Sequence, residues 1–103
     1  MIDHNVTYGT VEGVTVLQFG TGDIRMHAVK YGPEQGPEFP YAGVIFKNDE
    51  PQPIGTVQPK VEQQTSNDVQ PEVVMIFTKV ASIDALIETL QEARQDLVII
   101  LDA

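Results

Sequence analysis

The chain contains no cysteine. That absence excludes a disulfide framework, a thiolate zinc site and a cysteine nucleophile, and it leaves the redox compartment unmarked. Cations are scarce: six Lys and Arg stand against 15 Asp and Glu, for a formal net charge of -9. A surface with that balance does not track phosphate backbones by counterion release, which disfavours nucleic acid as a partner. Long hydrophobic runs are lacking too. The longest, at 73–77 (VVMIF) and 97–101 (LVIIL), have five residues each, far short of the roughly 20 a membrane helix needs. The opening MIDHNVTYGT has neither a basic start nor an apolar stretch, so no secretory signal and a cytoplasmic location are expected.

What remains is an ordinary globular composition, 42% hydrophobic and 20% charged, in 103 residues, which suits one small domain over 1–103. A compact fold of 11.3 kDa is expected to expose roughly 5,700 Å² out of about 16,000 Å² in the unfolded chain.

The pattern along the chain predicts an α+β fold: an antiparallel sheet of about four strands with one C-terminal helix packed on one face. Thr10 to Phe19 is β-branched and partly alternating, and Gly20-Thr21-Gly22-Asp23 then reads as a hairpin turn. Ile24 to Tyr31 returns as a strand, with Ile24, Met26 and Ala28 on its expected core face and Arg25, His27, Val29 and Tyr31 on the other. Gly32 to Pro40 holds three prolines and two glycines, which fit neither helix nor ladder and imply an ordered loop or lid. Tyr41 to Lys47 reads as a strand, and 56–72 is so poor in apolar residues that a flexible loop or linker is expected there. Glu72 to Lys79, built around VVMIF, fits a central strand buried on both faces.

The clearest element is a helix over about 83–96. Ser82 is its candidate N-cap, Ile83, Leu86, Ile87, Leu90 and Leu97 recur at helical spacing, and Asp84 suits the first turn. Leu97 to Leu101 continues without a glycine or proline stop, as strand or helix, and must be buried by its own sheet or by a partner.

The chemistry-bearing residues form no catalytic set. Arg25, His27 and Lys30 sit on one strand and could receive an anionic ligand, with Phe39 and Tyr41 stacking on it from beside the proline loop. As a general base His27 lacks a designated second group. Gly20-Thr21-Gly22 lacks the lysine and helix of a phosphate loop, and Asp3-His4 with His27 has no metal-ligand spacing. Ser66 and Ser82 sit in no nucleophile elbow. Neither metal nor cofactor is therefore expected. The acidic surplus, including Glu34, Glu38, Asp49, Glu50 and the helix face, could occupy a basic site on another protein.

Val73 to Leu97, preceded by Gly43-Val44-Ile45-Phe46 and Pro53-Ile54-Gly55, resembles segments of small uncharacterised accessory proteins of phages and bacteria. The resemblance covers about a third of the chain and implies a compact accessory protein in phage–host conflict, without assigning any residue a role. Together these features lead to the expectation of a non-enzymatic binding module. It would be a homo-oligomer holding a small anionic ligand or a partner protein, with a nucleotide hydrolase or phosphodiesterase, or a component of a larger assembly, as alternatives.

Overall fold

A computed structural model describes residues 1–31, 41–62 and 69–102. The fold is α+β, as the pattern predicts, but its strands form two sheets instead of one. Strands β1 (Ile2–Tyr8) and β2 (Val11–Leu17) pair only with each other, as an antiparallel hairpin. Strands β3 (Ile24–Tyr31), β4 (Tyr41–Asn48) and β6 (Val73–Phe77) form an antiparallel sheet, and the two-residue β5 (Val61–Glu62) adds in parallel to the outer edge of β3. The chain then enters α1 (Val80–Asp102).

The extra strand is β1, whose polar DHN stretch hides its alternation. Asn5 adopts φ 62°, and the β1–β2 register shifts on both sides of Val6. Such bulges break the period of two on which a strand is recognised. Because β2 pairs back onto β1, the Gly20–Asp23 turn does not close a hairpin with β3. It carries the chain from one sheet to the other, with Gly20 at φ 140° and Gly22 at φ 76°, values that glycine adopts without a side-chain penalty.

Two hydrogen bonds of the Asn48 side chain join the hairpin to the larger sheet. Ile2 donates its N–H to Asn48 Oδ1 at 2.7 Å, and Asn48 Nδ2 donates to the Ile2 carbonyl at 3.0 Å. Glu72 Oε2 accepts from the Asn48 backbone N–H at 2.6 Å, fixing the start of β6 beside the same point. Over this joint a cluster of Ile2, Ile24 and Phe46 is buried, with Leu17, Val44, Val73 and Met75 packed on it.

The strand order β5-β3-β4-β6 makes β6 an edge strand, correcting the expectation of a central one. Its burial alternates, and Val74 and Ile76 on one face are exposed. The face of Ile24, Met26 and Ala28 is core at its Ile24 end only, where Ile24 joins the buried cluster. The most enclosed side chains, Val29 of β3 and Ile45 of β4 at 2% and 1% exposure, lie on the opposite face of the sheet from Met26, which is 43% exposed. The helix is longer than its periodicity suggests and includes 97–101, so the terminal apolar run is helical. It starts at Val80, leaving Ser82 inside the first turn and Asp84 beyond it. No residue of α1 is buried, so it borders the sheet and does not pack fully on it. Within the segment expected to be a linker, Val61 pairs with Val29 and Glu62 with Lys30. Among the described residues no helix is long and apolar enough to cross a membrane.

Candidate functional site

Pairing in the larger sheet sets which residues share a face. Met26 lies opposite Phe46, Ala28 opposite Val44 and Lys30 opposite Ala42, while Val44 faces Met75 and Ala42 faces Phe77 across the next ladder. Apart from Lys30 these are apolar, yet the face is capped only at its ends. At one end Phe19 and Leu17 of the hairpin region close over it, with the Phe19 and Phe46 rings edge-on at 6.2 Å and 70°. At the other, Ile83, Leu86, Ile87 and Leu90 of α1 form a wall, of which only Ile83 and Leu86 are half-buried. Between them lies a groove of about 880 Å³. Its polar lining residues are Lys30 and Lys60, at the β3 side.

Of the five residues proposed from sequence, the three whose side chains are described, Arg25, His27 and Lys30, do not converge. Arg25 is 8% exposed, and its guanidinium donates to the Gly22 carbonyl at 3.2 Å and to the Glu50 carbonyl, with Asp49 Oδ2 at 3.9 Å. A guanidinium so engaged clamps the turn after β4 onto the turn before β3. His27 holds the Pro59 carbonyl through Nδ1 at 2.8 Å, tying the 50–60 segment along the β3 edge. Lys30 lies on the opposite face of β3, in the groove. Phe39 falls outside the described residues, and of Tyr41 only its backbone pairing with Tyr31 is described.

The remaining candidates are likewise placed apart. His4 Nδ1 lies 3.3 Å from the Thr15 hydroxyl, and its Nε2 lies 3.9 Å from Glu72 Oε1. Among the described residues no three His, Asp or Glu side chains gather as metal ligands. A smaller cleft of about 330 Å³ sits between Phe19, Gly22, Ile24 and the 52–58 segment. There a Cβ on Gly22 would fall 1.9 Å from the Gln52 carbonyl oxygen, and Gln52 donates its N–H to the Gly22 carbonyl at 2.9 Å. Neither histidine lines the groove or the cleft.

Sequence reasoning missed the groove because it assigned Met26 and Ala28 to a core. The signal that could have exposed it was quantitative: one amphipathic helix and one hairpin offer too little apolar surface to cover both faces of a three-stranded sheet. Comparison with protein-family models, with curated proteins and with solved structures finds no match, so the groove's own chemistry carries the functional reading.

Proposed function

We propose that the chain is a non-enzymatic binding module, an accessory protein whose groove takes an amphipathic helix of a protein partner. One observation carries this reading: an apolar sheet face left open beside a helix, with Lys30 and Lys60 at its rim. Grooves of this kind bind helices by burying an i, i+3, i+4, i+7 stripe. The lysines favour an occupant whose stripe is flanked by carboxylates. Of the two occupants expected from sequence, a protein is better supported than a small anion, because Arg25 is spent on backbone carbonyls. Hydrolysis has less support still, with His27 held by Pro59 and away from both cavities. The accessory role implied by the phage and bacterial resemblance fits such a module, as does a place in a larger assembly.

The test is titration of isotopically labelled protein with a synthetic helix built of leucine and glutamate. The protein carries Leu97→Glu and Leu101→Glu, which remove its own apolar tail as a competitor; both positions are exposed. Chemical-shift changes should centre on Met26, Ala28, Val44 and Met75. Lys30→Glu should weaken binding on the order of tenfold, and Ala28→Glu should abolish it. A titration without changes at those four residues would end this reading.

A further inference from the structure

We propose that the groove's occupant is α1 of a second copy of this chain. The two helices lie antiparallel, so that the apolar C-terminal half of each covers the open sheet of the other. The inference rests on the groove reading above and names its partner. Three independent observations point to it.

The first is area. The chain exposes 7828 Å², where a compact chain of its mass exposes roughly 5,700 Å². Its radius of gyration is 15.6 Å, against about 13 Å for a compact domain of this length. A standard dimer interface takes roughly 800 Å² from each partner, which the excess accommodates. Part of that surface belongs to α1, where every residue from Ile87 to Asp102 is exposed, including Leu97 and Leu101 at 54% and 73%.

The second is spacing. From Val80 to Leu101, positions 80, 83, 87, 90, 94, 97 and 101 alternate steps of three and four, the seam of paired helices. All are apolar except Arg94. In a parallel pair each seam residue meets its own copy, which sets Arg94 against the partner's Arg94 in an apolar interface. In an antiparallel pair the two kinds of seam position meet each other. With Arg94 beside the partner's Leu90, Leu97 falls on the partner's Ile87 and Leu101 on the partner's Ile83. Ile83 and Ile87 are two of the four α1 residues that wall the groove. Antiparallel pairing thus separates the arginines and brings each exposed tail to the partner's open sheet.

The third is charge. Beside Arg94, α1 carries Asp84, Glu88, Glu92, Asp96 and Asp102, so it is an acidic amphipathic helix. The groove it would enter is rimmed by Lys30 and Lys60. The protein's own C-terminal helix has the chemistry that its groove selects.

The absence of cysteine makes the test direct. The full chain is first weighed in solution by light scattering or native mass spectrometry, and a mass twice 11.3 kDa is expected. Protein carrying Ile87→Cys is then mixed with protein carrying Leu97→Cys under mild oxidation. The mixed disulfide should dominate, with each variant alone cross-linking poorly. Leu97→Glu with Leu101→Glu should leave the circular dichroism of the sheet intact and raise the dimer dissociation constant on the order of 100-fold or more. Cross-linking of Leu97→Cys protein to itself would overturn the antiparallel arrangement, and a wild-type monomer at high micromolar concentration would overturn the dimer. If that monomer still binds the leucine–glutamate helix at Met26 and Ala28, the groove reading survives and only the second copy is wrong. If it binds no helix, both fall.

Discussion

The Asn48 side chain ties the hairpin to the larger sheet at Ile2, and its replacement gives a sharp test of how the two sheets cohere. It accepts from the Ile2 N–H at 2.7 Å and donates to the Ile2 carbonyl at 3.0 Å, while its own backbone N–H is held by Glu72. Ile2 is 3% exposed, so water cannot readily replace the lost partner. Each hydrogen bond contributes about 1 kcal/mol net, and a buried group left unpaired costs about 1–3 kcal/mol. Asn48→Ala should therefore remove about 2–3 kcal/mol, which for a chain of this length lowers the melting temperature by roughly 10–20 °C. Asn48→Asp is the informative partner variant. It keeps the acceptor for the Ile2 N–H but turns a second carboxylate oxygen toward the Ile2 carbonyl and Glu72. At neutral pH it should rescue nothing, although its shape is nearly unchanged. Urea unfolding gives the stability, and amide exchange at Ile2 shows whether the hairpin has come loose. A loss below about 0.5 kcal/mol for Asn48→Ala would refute the claim that this residue couples the sheets.

Gly22→Ala combines a left-handed backbone with a 1.9 Å approach to the Gln52 carbonyl oxygen and should cost about 2–3 kcal/mol. Gly9→Ala, at φ 62° in open space, should cost about 1 kcal/mol in the same melts, and equal losses would dismiss the steric argument. Arg25→Ala should destabilise by about 2–3 kcal/mol in urea. Arg25→Lys should recover little, because an ammonium cannot span two carbonyls as the planar fork does. Unchanged stability in both would return Arg25 to the pool of ligand-binding candidates. The Met1 amine, hydrogen-bonded to Asp23 Oδ1 at 2.8 Å, and then the Thr21 side chain hold the Asp23 carboxyl below its ordinary value. Its folded form is thus the weaker base, so the stabilisation is complete above the ordinary aspartate range. It drains away as pH falls through that range toward the lowered folded value. Asp23→Asn should flatten that part of the urea-midpoint profile, and identical profiles would show the contact to be idle.

Much of the fold is legible in the residues because local chemistry dictates it. The β-branched alternation of 24–31 and 41–47 yields the β3–β4 ladder in an uninterrupted register. The stripe at 83, 87, 90 and 97 yields the helix, and only its ends are misplaced. What the residues do not show locally is set by distant contacts. Nothing in Gly20–Asp23 tells whether β2 turns onto β3 or back onto β1; the choice depends on Ile2 reaching Asn48, 46 residues away. Likewise Arg25 reads as a free cation on a polar strand face until Glu50 and Gly22 close around it. The tail at 97–101 was legible as a surface that requires cover. The fold resolves its conformation but leaves it exposed, which is why the candidate site moved from the cations to the groove beside it.

An under-buried protomer also makes a thermodynamic prediction that does not depend on knowing the interface. If α1 and the open sheet are covered only in the dimer, folding and association are one equilibrium, and stability depends on concentration. A tenfold rise in protein concentration then adds about 1.4 kcal/mol per dimer. Unfolding entropy of about 2.1 cal/mol/K per residue, taken over two chains of 103 residues, converts this to roughly 3 °C in melting temperature. A hundredfold range should therefore move the transition by roughly 6 °C, well outside the error of a scan. Arg94→Leu, which replaces the one polar seam residue, should raise the whole curve while preserving its slope. Leu97→Glu with Leu101→Glu should lower the curve and remove the slope, because the monomer then unfolds alone. A wild-type melting temperature that stays constant across that range would mean the protomer is stable with its groove open. The exposed half of α1 would then contribute nothing to folding, and the area argument for a second copy would fail with it.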